Sequence, residues 1–186
     1  MAWIVGDNHM KSLILSVFAI AAAAPAFAED TKFYATVGGT FLSAEEAGVE
    51  FDLGAMTTRA GYQFTPNFSA EAEAMIGFAE EEISGGGASV EIGLNYAVGL
   101  FARAEAPVSE YVTLYARLGV VNAELEVEAS VFGFTESESA SETGAGYGAG
   151  AEFNVVENFS IYADYTRYDI EETEIDGLSF GGRFRF

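Results

Sequence analysis

Apolar and polar residues alternate with a period of two along most of the chain beyond residue 28, and no stretch there carries an apolar repeat near 3.6. The longest run sets Val90, Ile92, Leu94, Tyr96, Val98, Leu100, Ala102 and Ala104 against Glu91, Gly93, Asn95, Ala97, Gly99, Phe101, Arg103 and Glu105. Phe68, Ala70, Ala72, Ala74, Ile76 and Phe78 alternate in the same way with Ser69, Glu71, Glu73, Met75 and Gly77. So do Val112, Leu114, Ala116, Leu118 and Val120 with Thr113, Tyr115, Arg117 and Gly119. Fainter alternation runs through residues 33–41, 56–64, 145–153, 159–165 and 178–186. Successive side chains of a strand point to opposite faces, so the pattern predicts eight strands. Tight connections containing Pro or Asn, at 65–67, 106–110 and 154–158, alternate with longer polar segments at 43–50, 80–88, 124–142 and 169–176. An even number of alternating segments with short turns at one end and long loops at the other predicts an all-β fold. The expected form is an eight-stranded antiparallel up-and-down transmembrane β-barrel with short periplasmic turns and longer extracellular loops. Lipid offers no hydrogen bonds, so a non-helical spanning chain must close its sheet and leave no edge.

The character of the two faces separates a membrane barrel from a soluble one. A lipocalin-like barrel would turn its apolar face inward around a ligand and carry Lys, Glu and Asp outward along every strand. Here the polar face is mostly small, with Gly93, Ala97, Gly99, Gly119, Gly146, Gly148 and Gly150, which suits a narrow interior filled by its own side chains. Tyr62, Phe64, Phe68, Tyr96, Phe153, Phe159, Tyr165, Phe184 and Phe186 fall on the apolar face, several near strand ends where an aromatic girdle belongs.

The N-terminus reads as an address. Lys11, the apolar run 13–24 and Pro25-Ala26-Phe27-Ala28 form the three regions of a secretory signal peptide, with cleavage expected after Ala28. Twelve residues, apolar but for Ser16, are too few for a membrane-spanning helix, which needs about 20. Asp7 and His9 are foreign to such a leader, so translation is expected to start at Met10, leaving 1–9 as an extension, 10–28 as the signal peptide and 29–186 as one barrel domain.

Charge sharpens the picture. The 186-residue chain has 29 acids against eight Lys and Arg, a net charge of -21, no cysteine and a single histidine, His9, ahead of the leader. Thiolate and histidine chemistry are thereby excluded from the domain, and nucleic acid lacks the basic face it requires. Arg59, Arg103, Arg117, Arg183 and Arg185 fall on the polar face with Glu71, Glu73, Glu91, Glu105, Glu152 and Asp164. Five bases against six acids are the near-neutral set that a low-dielectric lumen demands, since an unpaired buried charge is costly. Arg183 is expected to pair with Asp164 or a glutamate. Eighteen further acids lie in the four long polar segments and their flanks, all at one end of the barrel.

Residues 179–186, Ser-Phe-Gly-Gly-Arg-Phe-Arg-Phe, resemble the C-terminal signature of bacterial outer-membrane proteins, in which Gly181, Phe184 and Phe186 hold the characteristic positions. With residues 147–153, 158–160 and 164–168 they make the whole of 29–186 resemble the small eight-stranded opacity-type or "porin family" barrels, related in architecture to the OmpA membrane domain. The resemblance implies residence in the bacterial outer membrane among lipid and lipopolysaccharide, recognition of the last strand by the outer-membrane assembly machinery, and a monomer. No peptidoglycan-binding domain follows Phe186 in this sequence, so tethering to the cell wall by that means is not expected.

No catalytic, metal or cofactor site is expected. The glycines at 144, 146, 148 and 150 have strand period, no following helix and no Lys-Ser/Thr, unlike a phosphate loop; they make room for Arg117, Tyr115 and Tyr162. Glu71 and Glu73 stand side by side on one strand and read as ion-pair partners rather than an acid and a base. The glutamates at 80–82, 136, 138, 171, 172 and 174 could draw Ca²⁺ or Mg²⁺ shared with lipopolysaccharide phosphates, but no loop has EF-hand spacing, and a solvated repulsive surface explains them as well. Two function classes follow: a plugged structural or surface-interaction barrel displaying acidic loops, and a narrow cation-preferring pore.

Overall fold

β-branched and aromatic residues at every second position, with glycine and alanine between them, favour a pleated sheet that packs closely on one face. The computed structural model describes residues 32–46, 49–79, 81–85, 88–131, 134–170 and 173–186; the expected extension 1–9 and signal peptide 10–28 lie outside them. The strands are β1 (Phe33–Glu46), β2 (Val49–Thr65), β3 (Phe68–Ala79), β4 (Glu81–Gly85), β5 (Ala88–Pro107), β6 (Val112–Val131), β7 (Phe134–Val156), β8 (Phe159–Ile170) and β9 (Thr173–Arg185). Apart from β3 and β4, strands adjacent in the chain pair antiparallel, and β1 closes on β9 through the register Tyr34↔Arg185 to Ala44↔Ile175. β3 and β4 both pair with β5, at Phe68↔Ala104 to Ile76↔Tyr96 and Glu81↔Ile92 to Gly85↔Ala88, so they are two lengths of one stave. The result is a closed, eight-staved, up-and-down barrel.

Exposure settles which face is which. Phe41, Phe78, Leu100 and Leu118 are 58–68% exposed, whereas Arg59, Arg103 and Arg183 are at most 1% exposed. That inverts the distribution of a water-soluble protein and fits a lipid-facing exterior. Aromatic pairs gird the short-turn end: Phe33 with Tyr62 (4.9 Å between ring centres), Tyr111 with Phe153 (6.3 Å) and Phe159 with Phe184 (4.8 Å). Phe41 and Phe180, 5.9 Å apart, mark the other edge of the band. Phe33 and Phe41 lie eight positions apart, roughly 26 Å along a strand and about 20 Å in height once the strand tilts.

Two features depart from the sequence expectation. All four segments read as loops are largely paired backbone: 43–50 through Ser43↔Asp52 to Glu46↔Val49, 80–88 through Glu81↔Ile92 to Gly85↔Ala88, 169–176 through Asp169↔Glu174 and Ile170↔Thr173, and 124–142 through Leu125↔Ala140 to Val131↔Phe134, where β6 and β7 continue together. Pairing of β7 with β8 ends at Gly144↔Ile170, so the β6–β7 hairpin rises past β8. In addition, a register irregularity between Leu94 and Tyr96, opposite Leu125 and Glu124, reverses the alternation at the long-hairpin end of β5. Leu94, expected on the lipid face, is instead buried in the core. Tyr96 is also buried, with its hydroxyl donating to Glu124 Oε2 at 3.2 Å.

Candidate functional site

An eight-stranded barrel encloses just enough space for side chains, so whatever points inward must pack and pair there. The ions in this lumen form one continuous series of alternating sign. Starting at the short-turn end, Arg185 Nη2 lies 3.0 Å from Glu152 Oε2, whose Oε1 accepts from Arg183 Nη1 at 2.7 Å. Arg183 Nη1 also reaches Glu105 Oε1 at 3.0 Å, and that oxygen lies 2.8 Å from Arg103 Nε. Arg103 Nη1 donates to Glu71 Oε1 at 3.1 Å, and Glu71 Oε2 lies 3.8 Å from Arg117 Nε. Arg117 Nη1 and Arg59 Nε both reach Glu73 Oε2 at 2.7 Å. The series ends where Arg59 grips Asp164 through Nη1 (2.5 Å) and Nη2 (3.1 Å). A cross-link from Arg103 to Glu152 ties the two halves of the lower network. Among the described residues, five cations and five anions therefore alternate, drawn from every stave except β1.

Neutral side chains complete the shell. Tyr34 of β1 donates to Glu71 Oε1 at 2.8 Å, Tyr115 to Asp164 Oδ2 at 2.8 Å and Tyr168 to Glu73 Oε1 at 3.2 Å. Guanidinium groups also lie over rings: Arg183 over Tyr34 and Arg103 over Tyr115 at 3.6 Å, and Arg117 over Phe101 at 3.7 Å. Such stacking favours a cation withdrawn from water. Glycines supply the room. A Cβ at Gly150 would meet the Tyr115 ring at 2.6 Å, and one at Gly38 the Tyr162 hydroxyl at 2.7 Å. Gly99, Gly119 and Gly146 are cleared for the Phe101 ring, at 2.7–2.8 Å, rather than for Arg117.

Towards the long-hairpin end the lumen changes character. Leu42, Met75, Leu94, Val121, Tyr168 and Ile170 form an apolar cluster above the ions. The period-2 parity of the sequence faces the ten charges of the series inward but does not mark this cluster, whose one signal is the pair of large apolar residues, Met75 and Phe101, on the polar face. Nor does it mark the hydroxyl donors Tyr34 and Tyr168.

Of the remaining predicted residues, Glu91 pairs in register with Glu82 and Glu128 beyond the β5 irregularity, and its side chain lies outside the described residues. Arg183 meets Glu152 and Glu105, while Asp164 belongs to Arg59. Gly181 faces Gly38 across the β1–β9 seam, Phe184 lies in the aromatic girdle, and the Phe186 N–H donates to the Phe33 carbonyl at 3.0 Å. The acidic stretches at 80–82, 136–138 and 171–172 lie outside the described side chains. Arg167, a cation not assigned to the lumen, faces outward and pairs with Asp176 and Glu174 at 2.8 Å each.

Comparison with known proteins agrees with this geometry. The outer membrane protein beta-barrel domain family matches residues 12–186. The attachment invasion locus protein of Yersinia enterocolitica is 40% identical over 79 residues, 42% of this chain and 42% of that protein, so the match spans about two fifths of its curated relative. Among solved structures, Ail of Yersinia pestis superposes with a TM-score of 0.64 at 22% identity, covering 84% of this chain and 99% of that one. Neisserial surface protein A gives 0.61 at 17% identity, covering 84% and 98%. With a lipid-facing exterior, a closed eight-staved barrel and a family match along nearly its whole length, this chain belongs to the outer membrane protein β-barrel family of the bacterial outer membrane.

Proposed function

We propose that this chain is a plugged barrel that acts through the surface it displays outside the cell, without catalysing a reaction. The observation that carries this reading is the alternating series of ten paired charges, nine of them buried and Arg185 half-buried, which among the described residues leaves no lumen ion without a partner to draw a permeating one. Function then falls to the long-hairpin end, which the proposal places outside the cell. The partial similarity to attachment invasion locus proteins supports an interaction role at that surface. One such protein, Ail of Yersinia pestis, is known in complex with the heparin analogue sucrose octasulfate. The present chain favours the opposite charge, because its tallest hairpin carries Glu124, Glu126, Glu128, Glu136, Glu138 and Glu142 and no base. A sulfated sugar would meet repulsion there, whereas a basic protein surface, or divalent cations shared with lipopolysaccharide phosphates, would be drawn in. Insertion as a monomer by the assembly machinery, through Gly181, Phe184 and Phe186, belongs to the same reading.

Attachment of cells displaying the barrel to surfaces coated with polylysine or with heparin tests it. The expected result is retention on polylysine that falls when Glu136, Glu138 and Glu142 are all changed to Gln, with no retention on heparin. Retention on heparin, or indifference to the three substitutions, would contradict the acidic-surface reading.

A further inference from the structure

Above the ionic series lies a hollow of about 170 Å³. Its wall is made of buried Leu42, Met75, Leu94, Val121 and Ile170, and its rim of half-buried Ala44, Leu53, Leu125, Thr173 and Ile175. The space exists because small residues face one another where large ones would meet: Ala97 and Ala123 are direct cross-strand partners, and both line it. Tyr168 also lines it, yet its hydroxyl is turned to Glu73 in the ionic layer. Among the described lining residues that leaves Thr173, at the rim, as the one other with a polar side chain. A water needs two to four polar partners, and an apolar cavity of about 150 Å³ elsewhere stays dry and accepts benzene or xenon. Lining atoms with no neighbour across a dry space lose dispersion contacts that an apolar guest would restore.

We infer that this hollow binds a small uncharged apolar molecule, about one aromatic ring in size, entering from the long-hairpin end. Charge restricts the guest further. The strands that carry the rim end in an acidic region, with Asp52 next to Leu53 and Glu124 and Glu126 next to Leu125 on the alternate face, while Glu174 and Asp176 beside Ile175 are held by Arg167 on the outside. An organic anion of the same size is disfavoured there. The inference stands apart from the surface-interaction reading, because it concerns a different part of the molecule and a different ligand chemistry.

The described residues contain two methionines that report on the two apolar environments: Met75, 2% exposed, lines the hollow, and Met56, 48% exposed, faces lipid. The test is a titration of the protein in phospholipid nanodiscs with benzene, read by NMR of methyl-labelled methionine. The expected result is a saturable shift of the Met75 methyl, while Met56 follows the partition of benzene into lipid without saturating. Ala123→Phe, which fills the hollow, should abolish the Met75 response and leave that of Met56. Ala97→Leu serves the same purpose if the first variant does not fold. Benzoate should give no saturable shift. A Met75 methyl that is silent, one that tracks Met56, or one that still saturates in the filled variants would overturn the inference. Saturable benzoate binding would overturn its restriction to uncharged guests.

Discussion

Arg183 has no access to water, and two carboxylates, Glu152 and Glu105, close on one of its nitrogens. Removing it leaves Glu105 with Arg103 alone and Glu152 with Arg103 and Arg185, so the loss belongs at the lower end of what breaking a buried pair costs. Arg183→Ala should therefore destabilise the barrel by about 3 kcal/mol, read as a drop in the urea midpoint of the refolded protein at unchanged slope. Arg185→Ala, whose side chain is 24% exposed, should cost under about 1 kcal/mol. Equal midpoints for the two variants would contradict the layered burial. Sequence parity was enough to place these arginines inside. It could not assign partners, because a guanidinium on a long side chain crosses the lumen: Arg59 reaches Asp164, 105 positions along the chain. Nor could it separate the inward tyrosine hydroxyls from ordinary core residues, since Tyr34 and Tyr168 bear no charge to be counted.

The seam between β1 and β9 is the element on which closure depends, and it is held open to close approach by glycine. A Cβ at Gly181 would stand 2.1 Å from the Val37 carbonyl oxygen and 2.7 Å from the Gly38 Cα, whereas one at Gly39 would meet nothing within 4 Å. Gly181→Ala should therefore slow or prevent refolding into vesicles free of assembly factors, while Gly39→Ala should refold at least as well, alanine costing less backbone entropy than glycine. Electrophoretic mobility of unheated samples distinguishes the two, and similar folded fractions would contradict the steric account. The eight staves were legible because lipid on one side and a packed lumen on the other impose a strict period of two. Where β6 and β7 outgrow the bilayer, water bathes them and that pressure disappears. The Glu- and Ser-rich stretch 124–142 thus reads as a loop although its backbone is paired. The irregularity at Leu94–Tyr96 leaves no mark at all, since nothing in Leu-Asn-Tyr announces one extra residue.

At the scale of the whole molecule, the lumen has two layers of opposite character, ions below and an apolar chamber above, within one closed sheet. Net charge has a bearing on the same axis: among the described residues the lumen's five acids match its five bases, against a charge of -21 for the whole chain. A near-neutral lumen and a lopsided acidic surplus are both expected from the sequence, because both are sums over face and position. The chamber is not legible there, because Leu42 and Val121 fall just past the ends of the alternating runs, Ile170 lies in a segment read as a loop, and Leu94 changes face at the irregularity. In the plugged reading the ionic series seals the barrel. Current through the refolded protein in a planar bilayer, at neutral pH and with unequal salt on the two sides, tests that seal. A demonstrably folded barrel should show no unitary steps, whereas steady cation-selective openings would contradict the seal and make the lumen a narrow pore.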